Sequence, residues 1–155
     1  CELALEAAVD VSFIEDARSI ARTCRARDYA CVVAADIEFV RERVRYTEGS
    51  LGEERDGSQL FQFLASPGFV LYVSGMGLCA DMATLCMALM LAQGVVGRIG
   101  AKAVYLDPSR RRGASHVFAT WNGLAVDPVP PGSTLGFEAP RSMWVAPPLE
   151  ITCSG

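Results

Sequence analysis

Gly75-Met76-Gly77-Leu78-Cys79-Ala80-Asp81-Met82-Ala83-Thr84-Leu85-Cys86-Met87-Ala88-Leu89-Met90-Leu91-Ala92-Gln93-Gly94 is the stretch on which the fold turns. Its two leading glycines permit a tight approach of the backbone. A cysteine follows, then a run of strong helix formers, then a glycine able to stop a helix. The pattern predicts a helix with Cys79 at its N-terminus. There, unpaired backbone N–H groups and the positive end of the macrodipole favour a thiolate. Met82, Leu85, Met87, Leu89, Met90 and Leu91 lie all round the helix, as in one buried at the centre of a domain. Asp81 falls in the first turn, where an acid suits the dipole, and is read as structural. Cys86 is read as core.

Upstream, residues 1–11 have no clear assignment. Residues 14–25 read as an amphipathic helix, capped by Ser12 with Glu15 completing a capping box. A second helix follows Asp28 and runs to about Tyr46. Val33, Ile37, Val40 and Val44 form its inner stripe; Asp36, Glu38, Arg41, Glu42, Arg43 and Arg45 are placed outside. Residues 47–58 form a polar, Gly-rich loop, solvated and long enough for a lid. Residues 59–66 are expected to make one or two helical turns that Pro67-Gly68 ends. Phe69 to Val73 is a short apolar run leading to the glycines.

Downstream the period changes. Residues 101–106 read as a strand, followed by a loop over 107–114 whose Arg110-Arg111-Arg112 run is a solvated tip. Residues 115–120 and 124–127 flank Asn122-Gly123, the strongest short hairpin signal. The tail over 128–148 is rich in Pro and Gly, with one short strand expected from Ser142 to Ala146. Helices first, a central helix, then antiparallel strands give an α+β class, as one domain over 1–155.

The composition narrows the partners. Hydrophobic content is 51%, enough for a core, and the net charge of −4 argues against nucleic acid. The apolar runs are too short to span a bilayer, so no membrane partner is expected. One histidine and no close cysteine pair provide no metal pattern, and no cofactor is expected. Six cysteines are an even number, but the chain is large for a disulfide scaffold. Cys24, Cys31 and Cys86 sit in apolar helical patterns and read as small hydrophobes, which points to a cytoplasmic or other reducing compartment. The first residue is Cys1, so the chain reads as cut, processed or excerpted.

His116 is the one imidazole available as a base. With Asn122 and Gly123 as turn residues, Trp121 pairs with Leu124, Ala119 with Val126 and Phe118 with Asp127. His116 then shares a sheet face with Asp127 as its diagonal neighbour, about 7 Å away between backbone positions. A one-residue slip would separate them. Cys79, His116 and Asp127 thus have the makings of nucleophile, base and orienter. The Cys79 N–H is the natural first oxyanion donor. Tyr72 and Gln62 are candidates for the second, and Trp121 for displaced core or an aromatic wall of the cleft. Arg98 is expected to pair with a carboxylate or to cap carbonyls.

The ordered pattern Gly77-x-Cys79-x-Asp81-x-Ala83-x-Leu85, Ala88-Leu89, Gly94-x-x-x-Arg98, His116-Val117, Gly123 and Val126-Asp127-Pro128 resembles the transglutaminase-like superfamily of papain-like cysteine enzymes. Val40-x-x-x-Val44-Arg45-Tyr46 and Phe63-Leu64-Ala65-Ser66-Pro67 extend it, so that it covers about residues 36–137. The resemblance implies a Cys-His-Asp triad at Cys79, His116 and Asp127, on a helix packed against an antiparallel sheet. It departs from the pattern at Leu78, where several relatives carry an acid, and at Phe118, where tryptophan is common. The implied activity is thiol-dependent acyl chemistry on the amide bonds of a peptide or protein. Hydrolysis is favoured over cross-linking on length. The rivals are an inactive binding or assembly module that keeps the fold, and an N-terminal nucleophile enzyme using Cys1.

Overall fold

The computed structural model describes residues 1–47, 65–106 and 116–153. The Arg110-Arg111-Arg112 run, and nearly all of the segments 47–58 and 59–66, lie outside the described residues.

Three helices come first, α1 (Glu2–Ala7), α2 (Val11–Ala21) and α3 (Tyr29–Arg43). The cap of α2 is Asp10 rather than Ser12, because its carboxylate already accepts the N–H groups of Ser12 and Phe13. The helix therefore starts and ends earlier than the sequence predicts. Helix α3 follows Asp28, whose side chain accepts the Cys31 N–H. It stops at Arg43 because Arg45–Tyr46 (β1) pairs in parallel with Met76–Gly77 (β2).

Val33, Ile37, Val40 and Val44 are buried as their spacing requires. Asp36 is buried with them, against the expectation of a solvated position. It lies three residues after Val33 and four before Val40, so it shares their face. Its Oδ1 accepts the Gln93 Nε2–H at 2.7 Å, while Oδ2 has no partner.

Ser66 caps α4 (Pro67–Phe69) by accepting the Phe69 N–H, and a π-helical turn over Val70–Ser74 continues it. Pro67 opens this helix, since its missing N–H has no intrahelical role at the first position. Then comes α5 (Cys79–Ala92), buried continuously from Asp81 to Met90. Helices α1, α2 and α3 cover one side of it and the sheet covers the other, so it needs no polar face.

The sheet is antiparallel, in the order β5-β4-β3-β6, from β3 (Ile99–Tyr105), β4 (His116–Trp121), β5 (Leu124–Val126) and β6 (Ala146–Thr152). Asn122 and Gly123 both have positive φ, 50° and 82°, as the two-residue hairpin turn demands. Trp121 pairs with Leu124 and Ala119 with Val126, the register read from the sequence. One sheet face packs Ile99, Ala101, Ala119 and Val126 into the main core. The other carries a smaller cluster, Val104, Phe118 and Ala125, with Leu106 and Trp144 packed on it.

The last strand is displaced from the expected Ser142 to Ala146. Arg141–Met143 forms a 3-10 turn, and β6 runs through Pro147 and Pro148. An edge strand tolerates prolines because one side of its backbone needs no partner. Cys24 and Cys31 are not free core residues either. They form one disulfide across the turn between α2 and α3, and Cys1 and Cys153 form another. No helix among the described residues is long and apolar enough to cross a membrane. The class is α+β, with helices packed on an antiparallel sheet.

Candidate active site

The first turn of α5 is built by close packing. A Cβ on Gly77 would lie 3.2 Å from Asp81 Cβ and 3.2 Å from Val70 Cγ1, so β2 can approach this tightly only with glycine there. Asp81 is the third residue of the helix and is buried. Its Oδ2 accepts the Leu78 N–H at 2.9 Å, and its Oδ1 accepts the Ala65 N–H at 2.9 Å. Leu78 is an apolar cap; Asp81 supplies the acid at the helix start from one turn further in. Helix geometry leaves the Cys79 N–H without an intrahelical acceptor. The Cys79 thiol is free and partly exposed.

His116 opens β4, near enough to the Cys79 side chain for its titration to depend on it. Its Nε2 lies 2.6 Å from Asp127 Oδ2. With Nε2–H donating to the carboxylate, Nδ1 is the ring nitrogen left to face sulfur. Burial pushes the His116 pKa down. The hydrogen bonds to Asp127 and Cys79, and the negative charge of both, outweigh it and raise the value to about 9. The Phe118 ring stands 5.7 Å from the imidazole, centroid to centroid. A ring held between a carboxylate and a thiol can take the thiol proton and return it.

Asp127 is 3% exposed. Its Oδ1 accepts the Val129 N–H at 3.1 Å, and its backbone oxygen accepts the Ser133 hydroxyl. Arg41 locks this turn from α3. Its Nη2 donates to the Ser133 carbonyl oxygen and Oγ, both at 2.7 Å, and its Nε donates to the Pro128 oxygen at 3.4 Å. The sequence pattern places Arg41 on a solvated face, and its pair with Glu38 at 2.7 Å fits that reading. Nothing local signals that the rest of its guanidinium holds Asp127, because the two residues are far apart in the chain.

The other predicted site residues are not gathered here. Tyr72 donates its hydroxyl to Asp16 at 2.9 Å. Burial, then that bond, push its pKa up, and its hydroxyl is committed to Asp16. Trp121 ends β4, five residues and so about 17 Å from His116, and its Nε1–H donates to the Val96 oxygen at 3.0 Å. Gln62 lies outside the described residues. Arg98 is exposed, and its backbone, not its side chain, exchanges hydrogen bonds with Asn122 at 2.9 and 2.8 Å. Cys1 has no thiol, being bonded to Cys153. Cys86 is fully buried; burial, then the charges of Asp36 and Asp127, raise its pKa well above the ordinary thiol value. The chain matches no family model, no curated protein and no solved structure.

Proposed function

We propose that this chain is a cysteine peptidase or amidase of transglutaminase-like, papain-like type, acting on peptide or protein amide bonds through an acyl-enzyme. The observation that carries the reading is the grouping of Cys79, His116 and Asp127, with His116 Nε2 2.6 Å from a buried Asp127 that Val129, Ser133 and Arg41 fix. In the proposed reaction His116, whose raised pKa keeps it protonated at neutral pH, already holds the thiol proton on Nδ1 as the Cys79 sulfur attacks the carbonyl carbon. The Cys79 N–H donates to the developing oxyanion. Collapse breaks the C–N bond, and the leaving nitrogen takes the proton from His116. A water, deprotonated by the same ring, then attacks the thioester, releasing the carboxylic acid and restoring the thiol. Asp127 holds the ring tautomer and stabilises the imidazolium at each stage. The same thioester attacked by an amine would make the enzyme a cross-linking transferase.

The compartment proposed is an oxidising one, in place of the reducing one read from the sequence. Disulfides persist where thiols are not kept reduced, and this chain carries two.

The test is alkylation by iodoacetamide, mapped by mass spectrometry without reductant, with a screen of peptide, glutamine and cell-wall amide substrates. Cys79 should react much faster than glutathione at pH 7, and the advantage should vanish in His116→Ala. Labelling of Cys79 no faster than glutathione, unchanged by that substitution, would falsify the reading.

A further inference from the structure

We propose that the cavity beside His116 is an amine-side specificity pocket, which takes an aromatic or branched aliphatic side chain from the group that leaves as the amine. This deepens the acyl chemistry proposed above and rests on it. The cavity has a volume of about 290 Å³ and is walled by Leu106, Phe118, Pro130, Phe137, Met143 and Trp144. His116 and Asp127 form part of its wall, whereas Cys79 is not among its lining residues.

That asymmetry assigns the side. When the C–N bond breaks, the imidazolium hands its proton to the leaving nitrogen, so the amine lies on the ring's side of the sulfur. A cavity that reaches the ring and not the sulfur lies beyond the nitrogen, not beyond the acyl carbon.

The lining sets the chemistry. Phe118 and Val104 are buried beneath the cavity, while Phe137 and Met143 are 52% and 55% exposed at its edge. Among the described residues, apart from His116 and Asp127, the one charged residue lining it is Glu138, which Lys102 neutralises at 3.2 Å. Lys102 is itself buried. It stands over the Phe118 and Trp144 rings at 5.9 and 5.6 Å and pairs with Glu150 at 3.4 Å. These contacts pin Glu138 and Trp144 to β3, so the pocket is formed before substrate arrives. A polar side chain would lose hydration there without gaining a partner, whereas an apolar one gains by burial.

The experiment uses the full chain acylated by p-nitrophenyl acetate, with the acetyl-enzyme left to partition between water and two α-amino amides. In aminolysis the amine nitrogen bonds to the thioester carbon, the C–S bond breaks, the amine proton passes to His116, and Cys79 leaves as thiolate. At equal concentrations, L-phenylalaninamide should capture the acetyl group at least about tenfold more often than glycinamide. The double variant Phe137→Ser, Met143→Ser should bring the two captures level. Val9→Ser, an exposed apolar position elsewhere, should keep the wild-type ratio. The ratio is read on acetyl-enzyme alone, so any unfolded fraction drops out of it. A Cys79-dependent p-nitrophenol burst with equal capture of both amines overturns the pocket and leaves the acyl chemistry standing. A preference that the double variant retains does the same. A missing burst, or one that survives Cys79→Ala, overturns the acyl chemistry and the pocket with it.

Discussion

The first turn of α5 and its middle carry the same functional group in opposite settings. Cys79 stands where the helix begins, partly exposed, on a backbone tied down by Asp81, with its side chain close to His116. Cys86 lies two turns further along. It is sealed among the elements that enclose the helix, and the carboxylates of Asp36 and Asp127 add to the burial that keeps its proton on. Both lie on the same helix, in a run of strong helix formers. What differs is access to the helix end and to the one strand that presents an imidazole. A nucleophile in this chain is therefore made by position, and the contrast can be tested at each of its supports.

The largest effect expected is on the sulfur itself. Cys79→Ala should remove acyl turnover by at least about 10³-fold, whereas Cys86→Ala should leave turnover within about twofold of wild type. Burst and steady-state kinetics on both variants measure this, and a loss of turnover in Cys86→Ala would break the comparison.

Next is the base. His116→Ala should slow alkylation of Cys79 at pH 7 by about 10²-fold and leave Cys86 unlabelled. The same residue gives a pH signature. Its pKa in the folded chain is raised from 6.5 to about 9. Its contribution to stability is thus complete below pH 6.5 and lost as the pH rises through about 9. Thermal midpoints should fall across that window in the wild type and more gently in His116→Ala. An identical fall in both would remove the imidazolium pairing from the account.

Arg41→Ala should lower kcat by about tenfold, by loosening the turn that carries Asp127. Arg41→Lys should recover little of it, because an ammonium cannot reproduce the fork that reaches both Ser133 oxygens and Pro128. Full activity in Arg41→Ala, at unchanged melting temperature, would show that Asp127 is positioned without it.

The smallest effect sharpens the buried side. Burial raises the Asp36 pKa from 3.8 to about 8, against the lowering hydrogen bond from Gln93. The stability tied to its protonated form is complete below pH 3.8 and lost as the pH rises through about 8. Asp36→Asn should flatten that stretch of the stability profile and stabilise the fold at pH 7 by about 1 kcal/mol. The gain stays small because the amide brings two N–H donors to a site where Gln93 Oε1 is the unbonded buried acceptor among the described residues. Cys86 should remain unlabelled in this variant, since burial outranks the Asp36 charge in holding its proton. Labelling of Cys86 would reverse that ranking.

Legibility follows the reach of each contact. The Cys79–His116–Asp127 grouping could be anticipated because Asn122-Gly123 sets the hairpin register, and that register puts His116 and Asp127 on one face. Arg41 could not, because its polar neighbours make it look solvated while its guanidinium reaches across to the Asp127 turn. Asp36 could have been placed correctly: its spacing from Val33 and Val40 marks the inner face, but its charge argued against burial. The two prolines of β6 hid a strand that is stable only as the sheet's edge.

By itself the sequence determined where α5 begins, that it is buried all round, and which residues face each other across the β4–β5 turn. Each of these rests on contacts within a turn of helix or across a two-residue loop, where propensity and period act directly. Only the tertiary structure decided that Cys1 meets Cys153 and Cys24 meets Cys31, that Arg41 grips the Asp127 turn, that Tyr72 and Trp121 serve other parts of the fold, and that an apolar cavity opens beside His116. Those outcomes depend on how whole elements stack. Stacking is set by the summed packing of many side chains, which no local pattern records.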